Sequence, residues 1–567
     1  MESFGFVRRA AWANAGFGRL RDIREHLMAI EPRYDPTVFP AEKEVPADEE
    51  RTQPVDKAFD AAHTQHKSSV SSYRSQYLSG DLTPLDVARA ILPLIRRDTV
   101  PPGEHAVAFL EVQADLVLKA AAASTLRYKE NRSLGPLDGV PTAVKDEYDM
   151  EGFKTTFGSP NDYATFRLFG RESSRNTDQN VTSWCVRMAE EAGVVILGKL
   201  SLNEFGLDTA GCNATYGTPR NPYNPEYYPG GSSSGCAYAV ATGLIPITLG
   251  SDGGGSIRIP ASYCSVFGLK PTHGRLSFLP GQNHSNTASV NGPMAADVRS
   301  LTELYNVVKR PHPSCYFPMT RPVRLDSSNV KNDVQSKLLG IPESWFDGAE
   351  PAVQKLCRAM LDRLVHERGY KLIPIAIPFT SEGQVAHSIT LLTDAATIVH
   401  DTTGGDAGEP HLARAWRHDN GNGLPACPKA AASPHAAPCV AVARASRYGI
   451  SDGDETMRSM KYVWMANLCG IPSITVPAGL APPVGSNGKT GEGDLPGSVP
   501  VGLMGMGEWC SEEGLLRFGL DAEEVGESVR RRPPNWVDVL AVAKSIKVAE
   551  AVTEAGDNLS CKRTGYP

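Results

Sequence analysis

Apolar positions along this chain change period several times, and each change marks an element. Residues 85–95 carry apolar side chains at helical spacing behind Thr83-Pro84, a hydroxyl N-cap followed by proline at the first helical position. From about residue 108, helical and strand-like stretches take turns. Residues 109–127, rich in Leu and Ala, predict a helix, and Gly135 to Pro141 predict a loop leading into a short strand at 142–144. Trp184, Met188 and Ala192 lie four apart on one helix face, Gly193 ends that helix, and 194–197 is a buried-strand run. Residues 236–242 predict a small-residue helix stopped by Gly243, before a strand at 244–249. Val353, Leu356, Cys357, Met360, Leu364 and Val365 form a helical stripe that Gly369 stops, and 372–377 predicts another strand. Such alternation without internal repeats predicts an α/β fold: one large layered α/β/α domain, its mixed, mostly parallel sheet covered by helices.

Two stretches break this rhythm. Residues 1–75 are polar and helix-permissive, interrupted at Pro32, Pro36, Pro40 and Pro46, and predict an N-terminal helical extension against a main domain at 76–560. Residues 400–450 are rich in Ala, Pro, Gly and His, with no apolar period, and predict a mobile, solvent-exposed segment.

Composition narrows the function classes. In 567 residues, 57 Lys and Arg against 64 Asp and Glu give a net charge of −7, so no global basic field exists for nucleic acid or an anionic membrane. No apolar run approaches the ~18 residues of a membrane span. The first residues lack the apolar core of a secretory signal. Arg8, Arg9, Arg19 and Arg21 suit a mitochondrial address, but Glu2, Asp22 and weak amphipathicity oppose it. Eleven cysteines lie scattered without a CxxC pair or zinc spacing, as reduced thiols in a cytoplasmic protein would. No cofactor or metal is implied, and a homodimer is compatible with the sequence.

The chemistry concentrates in residues 229–277, where two Gly/Ser clusters flank one helix–strand unit. Glycines let the backbone approach a ligand and leave N–H groups that suit phosphate or an oxyanion. Serines beside them are nucleophiles in need of a base. Three readings compete. Phosphate binding lacks the G-x-x-x-x-G-K-[ST] of a P-loop. An α/β-hydrolase elbow fits Gly231-Ser232-Ser233-Ser234-Gly235 formally, with Ser233 as nucleophile, but residues 224–229 before it are not a strand. The third reading uses both clusters and a distant lysine.

That third pattern resembles the amidase signature family of serine hydrolases, which includes fungal-type amidases and the amidase-like component of glutamyl-tRNA amidotransferase. It is carried by Gly230-Gly231-Ser232-Ser233-Ser234-Gly235, by Gly250 through Arg258, by Gly268 through Arg275, and by Gly135 through Asp146 around Lys145. Gly198 through Phe205, Asn467 through Pro472 and Pro500 through Leu503 agree as well. The resemblance covers roughly 80–310 and 445–520.

It implies a Ser–Ser–Lys triad: Ser256 the nucleophile, Ser232 the bridge preceded by a cis peptide bond, Lys145 the base. Backbone N–H groups of Gly253, Gly254, Gly255 and Ser256 are implied as the oxyanion hole. A serine hydroxyl needs a base at neutral pH, and a lysine can serve only when neutral, hence desolvated. The implied activity is amide hydrolysis, on a carboxamide or an N-acyl amine, through an acyl-enzyme intermediate. Two alternatives remain: the glutaminase component of a tRNA-dependent amidotransferase, and a folded, non-catalytic relative with an altered pocket.

The remaining residues read as structural. Ser233 and Ser234 are expected to cap the helix at 236, and Asp252 and Arg258 to tie down the nucleophile loop. His273 is expected to pack in its loop, and Cys236 and Cys264 to be small buried residues. Tyr227, Tyr228, Asp208 and Thr209 are candidate pocket neighbours.

Overall fold

The computed structural model describes residues 13, 18–23, 68–163, 182–281, 285–313, 320–325, 337–402, 453–482 and 497–561. The N-terminal arginines Arg8 and Arg9, most of the expected extension and all of the 400–450 segment beyond residue 402 lie outside them.

The strands along the described residues are β1 (Phe109–Glu111), β2 (Pro141–Lys145), β3 (Val195–Leu200), β4 (Ile247–Asp252), β5 (Phe267–Lys270), β6 (Val290–Ala295), β7 (Leu338–Pro342), β8 (Lys371–Ile375), β9 (Ser473–Ala481) and β10 (Val499–Met506). Eight of them form one sheet in the order β1-β3-β2-β4-β6-β5-β9-β10. Every residue of β2 to β6 is buried, so these strands read as apolar runs rather than as alternation. Helices Ala114–Lys129, Ser234–Ala241, Val298–Val308, Pro351–Arg368 and Glu512–Gly526 pack against the sheet and complete the layered α/β fold.

The sheet is mixed as expected, with a different balance of directions. Only β2 with β3 and β2 with β4 pair in parallel. The other five contacts are antiparallel. The reason lies in the connections. Among the described residues no helix separates β5 from β6 or β9 from β10, and a strand that returns without a crossover comes back antiparallel.

Two local expectations change. Residues 109–127 do not form one helix: Phe109–Glu111 is an edge strand on β3, and the helix begins at Ala114. The strand expected at 372–377 is β8, which pairs with β7 in a separate two-stranded sheet and is largely exposed. Other boundaries moved by a few residues. Helix Pro351–Arg368 ends at Gly369 as the sequence suggests, with Gly369 at φ 74°. Helix Val70–Ser79 spans residue 75. It buries Tyr73 and Tyr77, and Tyr77 donates to the Gly139 carbonyl at 3.1 Å, so the chain joins the main body before that boundary.

Helix Ser234–Ala241 is the element that presents the first Gly/Ser cluster. It sits so close to the end of β3 that a Cβ at Gly235 would lie 2.6 Å from the Ser201 nitrogen and 2.7 Å from the Ala108 oxygen. Both obstacles are backbone and cannot swing away. Gly235→Ala should therefore destabilise the protein by about 1–3 kcal/mol through overpacking, although alanine is the better helix former. Urea unfolding measures this; an unchanged or raised midpoint would show that the helix can move outward.

Candidate active site

β2 runs through the interior of the sheet and ends at Lys145, whose side chain is fully buried. Nζ lies 2.8 Å from Ser232 Oγ, 2.7 Å from Ser251 Oγ and 3.0 Å from Glu147 Oε2. Three side-chain oxygens thus surround the nitrogen. Glu147 is as buried as its partner. The neighbouring Asp146 turns away, pairing with Lys199 at 2.8 Å and accepting from the Thr156 backbone and hydroxyl. Burial pushes the Asp146 carboxyl up, and the Lys199 charge and the Thr156 bonds only partly offset that. This pair joins two motifs that are far apart in the chain, and Lys199 also donates to the Lys154 carbonyl at 2.8 Å.

Ser232 follows a cis peptide bond from Gly231. Gly231 donates to the Thr209 carbonyl at 2.7 Å, and a Cβ there would meet Asn203 Oδ1 at 2.4 Å. The next two serines do not cap the helix as expected. No side chain caps helix Ser234–Ala241. Ser233 Oγ donates instead to the Ser251 carbonyl at 3.1 Å, and Ser234 Oγ to the Ser201 carbonyl at 3.2 Å. Both hydroxyls sew the cluster to the ends of β4 and β3. The Ser233 N–H donates to the Ser256 carbonyl at 3.1 Å, tying the two clusters together.

The second cluster is organised around Asp252. Its carboxylate accepts from the backbone of Gly255 at 2.7 Å and of Ile257 at 3.1 Å. It also accepts from Arg258 Nε at 2.9 Å and Nη2 at 3.0 Å, and from Asn467 Nδ2 at 3.0 Å. Asn467 donates to the Asp252 carbonyl as well, at 2.7 Å, and accepts from Arg258 at 2.6 Å. Burial alone would raise the Asp252 carboxyl. The Arg258 charge and hydrogen bonds, then Lys270 and the Gly255 N–H, outweigh burial and hold it well below the usual carboxylate range. Asp252 and Arg258 are therefore structural, as the sequence suggested.

One expectation is corrected here. The Gly255 N–H is already given to Asp252, which leaves Gly253, Gly254 and Ser256 as the loop's N–H groups without a protein acceptor among the described residues. Gly255 serves through its backbone: at φ 104°, with Val463 and Ile259 within 2.7 Å of where a Cβ would stand, only glycine fits. Ser256 is 5 % exposed, and its hydroxyl makes no hydrogen bond to the described residues. His273 is half-buried and donates from its backbone to Gly470 at 2.9 Å. Burial raises the Cys236 thiol to about 12 and Cys264 further still, so neither is a ready thiolate.

The family model described as Amidase matches residues 103–426. The chain belongs to the amidase family. A fatty acid amide hydrolase from Medicago truncatula is 29% identical over 91% of this chain and 89% of its own length. The amidase-like component of the glutamyl-tRNA(Gln) amidotransferase of Chloroflexus aurantiacus is 35% identical, but over 56% of this chain and 61% of its own length. Among solved structures, a bacterial aryl acylamidase superposes with a TM-score of 0.61 at 20% identity, covering 84% of this chain and 99% of that one. The peptide amidase of Stenotrophomonas maltophilia does so with a TM-score of 0.58 at 23% identity, over 84% of this chain and 99% of its own. The protein is thus an amidase, a hydrolase of carbon–nitrogen bonds in amides, and its fold is the one these structures share.

Three residues of the site were not singled out by sequence reasoning: Ser251, Glu147 and His387, a buried histidine whose Nε2 lies 2.7 Å from the Gly253 carbonyl oxygen. Ser251 stands inside one of the Gly/Ser motifs and Glu147 two positions after Lys145, so spacing could have flagged both. His387 carries no sequence signal.

Removing Asp252 would leave Arg258 buried and uncompensated. Asp252→Ala should cost about 3–5 kcal/mol in urea unfolding. Because the folded carboxyl sits below its unfolded value, its stabilisation is complete above about pH 4 and fades as pH falls towards the lower folded value. The measured loss should therefore shrink when the pH is taken below about 4. Lys270 generates a different profile. Burial first, then the Arg258 charge, lowers it to about 7. Between pH 7 and about 10 the unfolded chain carries a proton there that the folded chain does not. Stability should rise with pH across that window from this group, and Lys270→Met should flatten the rise.

Proposed function

We propose that the protein hydrolyses N-acyl amides through Lys145, Ser232 and Ser256, with an acyl-enzyme on Ser256. The observation that carries this reading is the 2.8 Å contact between Lys145 Nζ and Ser232 Oγ in a fully buried setting, next to Ser233, whose N–H bonds to the Ser256 carbonyl. Ser256 Oγ attacks the amide carbonyl, and its proton passes through Ser232 to Lys145. The same route returns a proton to the leaving amine. The oxyanion of the tetrahedral intermediate lies against the N–H groups of Gly253, Gly254 and Ser256, donors that are each worth about 3–4 kcal/mol in such sites. Long-chain acyl amides are the first substrate class to try, because the fatty acid amide hydrolases match this chain over nearly its whole length. The likeness to the amidotransferase component is confined to little more than half the chain, which favours an acyl amide over glutamine as substrate.

A cytoplasmic setting belongs to the same proposal, supported by five buried free thiols: Cys185, Cys212, Cys236, Cys264 and Cys357. No helix among the described residues is long and apolar enough to cross a membrane.

Ser256→Ala should abolish turnover of a long-chain N-acyl amide and labelling by a fluorophosphonate, with the fold kept by circular dichroism. Lys145→Arg should be as inactive as Lys145→Ala, since a guanidinium does not give up its proton. Retained turnover in Ser256→Ala would point back to Ser233 as nucleophile. Release of glutamate from glutamine, faster than amine from the acyl amide, would favour the amidotransferase reading.

A further inference from the structure

Helix Thr380–Thr402 lies over the Ser256 loop, where His387 is completely buried. Its Nε2 is 2.7 Å from the Gly253 carbonyl oxygen. A carbonyl can only accept, so Nε2 carries the proton and Nδ1 a lone pair. Nδ1 is itself buried with no hydrogen-bond partner among the described residues. A leucine would fill the space without stranding a polar atom; what the imidazole adds is this single bond. The charged groups nearest the ring are Asp252 and Arg258. Burial, more than the Arg258 charge, pushes His387 below its ordinary value, so the ring stays neutral at pH 7 and the Nε2 proton stays in place.

We infer that His387 is a positioning residue for the reaction: by holding the Gly253 carbonyl it aims the Gly254 N–H at the oxyanion. The Gly253–Gly254 peptide is trans, so its C=O and N–H lie in one plane and point in opposite directions. A donor that fixes the carbonyl on the helix side fixes the N–H on the other. The same bond polarises the peptide and strengthens that N–H as a donor. Contact surfaces agree with a fixed orientation. A Cβ on Gly254 would meet Met460 Cε at 2.7 Å and His387 Cε1 at 3.0 Å, so the loop is clamped from the helix side. The helix in turn is anchored by Asp394, which accepts from Ser285 Oγ at 2.7 Å and the Thr287 N–H at 2.9 Å. The inference rests on the proposed role of the Gly253–Ser256 loop.

The test compares His387→Leu, which removes the donor, with His387→Gln, whose side-chain amide can reach the same carbonyl. With an N-acyl amide substrate, His387→Leu should lower kcat about ten- to a hundredfold and leave KM within about twofold, since the lost interaction acts in the transition state. Binding of a trifluoromethyl ketone, which forms a hemiketal oxyanion on the nucleophile, should weaken by a similar factor. His387→Gln should recover both to within about threefold of the parent. His387→Met serves in place of the leucine variant if that one does not fold. Parent-like kcat in a folded donor-less variant, or a glutamine variant as impaired as the leucine one with normal thermal unfolding, would overturn the inference. Ser256→Ala, run alongside, separates the two levels: if it is inactive while His387→Leu is fully active, only the histidine's role falls. If Ser256→Ala still turns over, the reading of the loop falls and takes the histidine's role with it.

Discussion

The buried Asp252 carboxylate is the interaction on which the site depends. One side chain at the end of β4 takes two backbone N–H groups of the following loop, two guanidinium contacts from Arg258 and an amide from Asn467. A buried charge is tolerable only when paired and fully hydrogen-bonded, and these partners meet that demand. The consequence is geometric. A three-glycine run, which would otherwise lose the most conformational entropy on ordering, is held in one shape because its neighbours are pinned to a rigid strand. Asn467 is 215 residues away in the chain, so the shape of the Gly253–Ser256 loop is set by the assembled fold and not by the loop itself.

Lys145 shows the same logic with a different outcome. Its amine sits among Ser232, Ser251 and Glu147, all buried. Two hydroxyls and one carboxylate surround the nitrogen, so its position is fixed to hydrogen-bonding distance of Ser232. The adjacent Asp146–Lys199 pair repeats the arrangement one residue on, with opposite facing. Successive residues at the end of β2 therefore serve separate purposes: one faces the serines, and the other locks β2 to β3.

Helix Thr380–Thr402 gives the site its roof. Leu391 packs with Tyr227, Ile259, Tyr263, Met460 and Val463 in an apolar cluster beside the Gly253–Ser256 loop. Thr456 Oγ1 donates to Asp208 at 2.7 Å, closing a link from the C-terminal part of the chain to the segment before Ser232. Of the candidate pocket neighbours in the sequence, Tyr227 thus packs beneath the roof helix and Asp208 against helix Gly453–Met460.

Family, layered α/β class and the candidate residues Lys145, Ser232 and Ser256 were all legible in the order of the amino acids. These are local facts: Gly/Ser clusters have few other uses at that spacing, and a motif is contiguous in the chain. Helix ends were legible where a local signal exists, as at Thr83-Pro84, whose capping box is present, and at Gly369. Features that depend on distant partners had to wait for the folded chain. Strand direction followed the connections, not the apolar runs. The Ser233 and Ser234 hydroxyls bond to β4 and β3 carbonyls, because close packing of the small-residue helix brings those carbonyls within reach. Gly255 lost its N–H to Asp252, and Glu147 and His387 acquired their importance from what folding placed beside them. A side chain's type states which bonds it can make; only the packed interior selects the partner that comes within hydrogen-bonding reach.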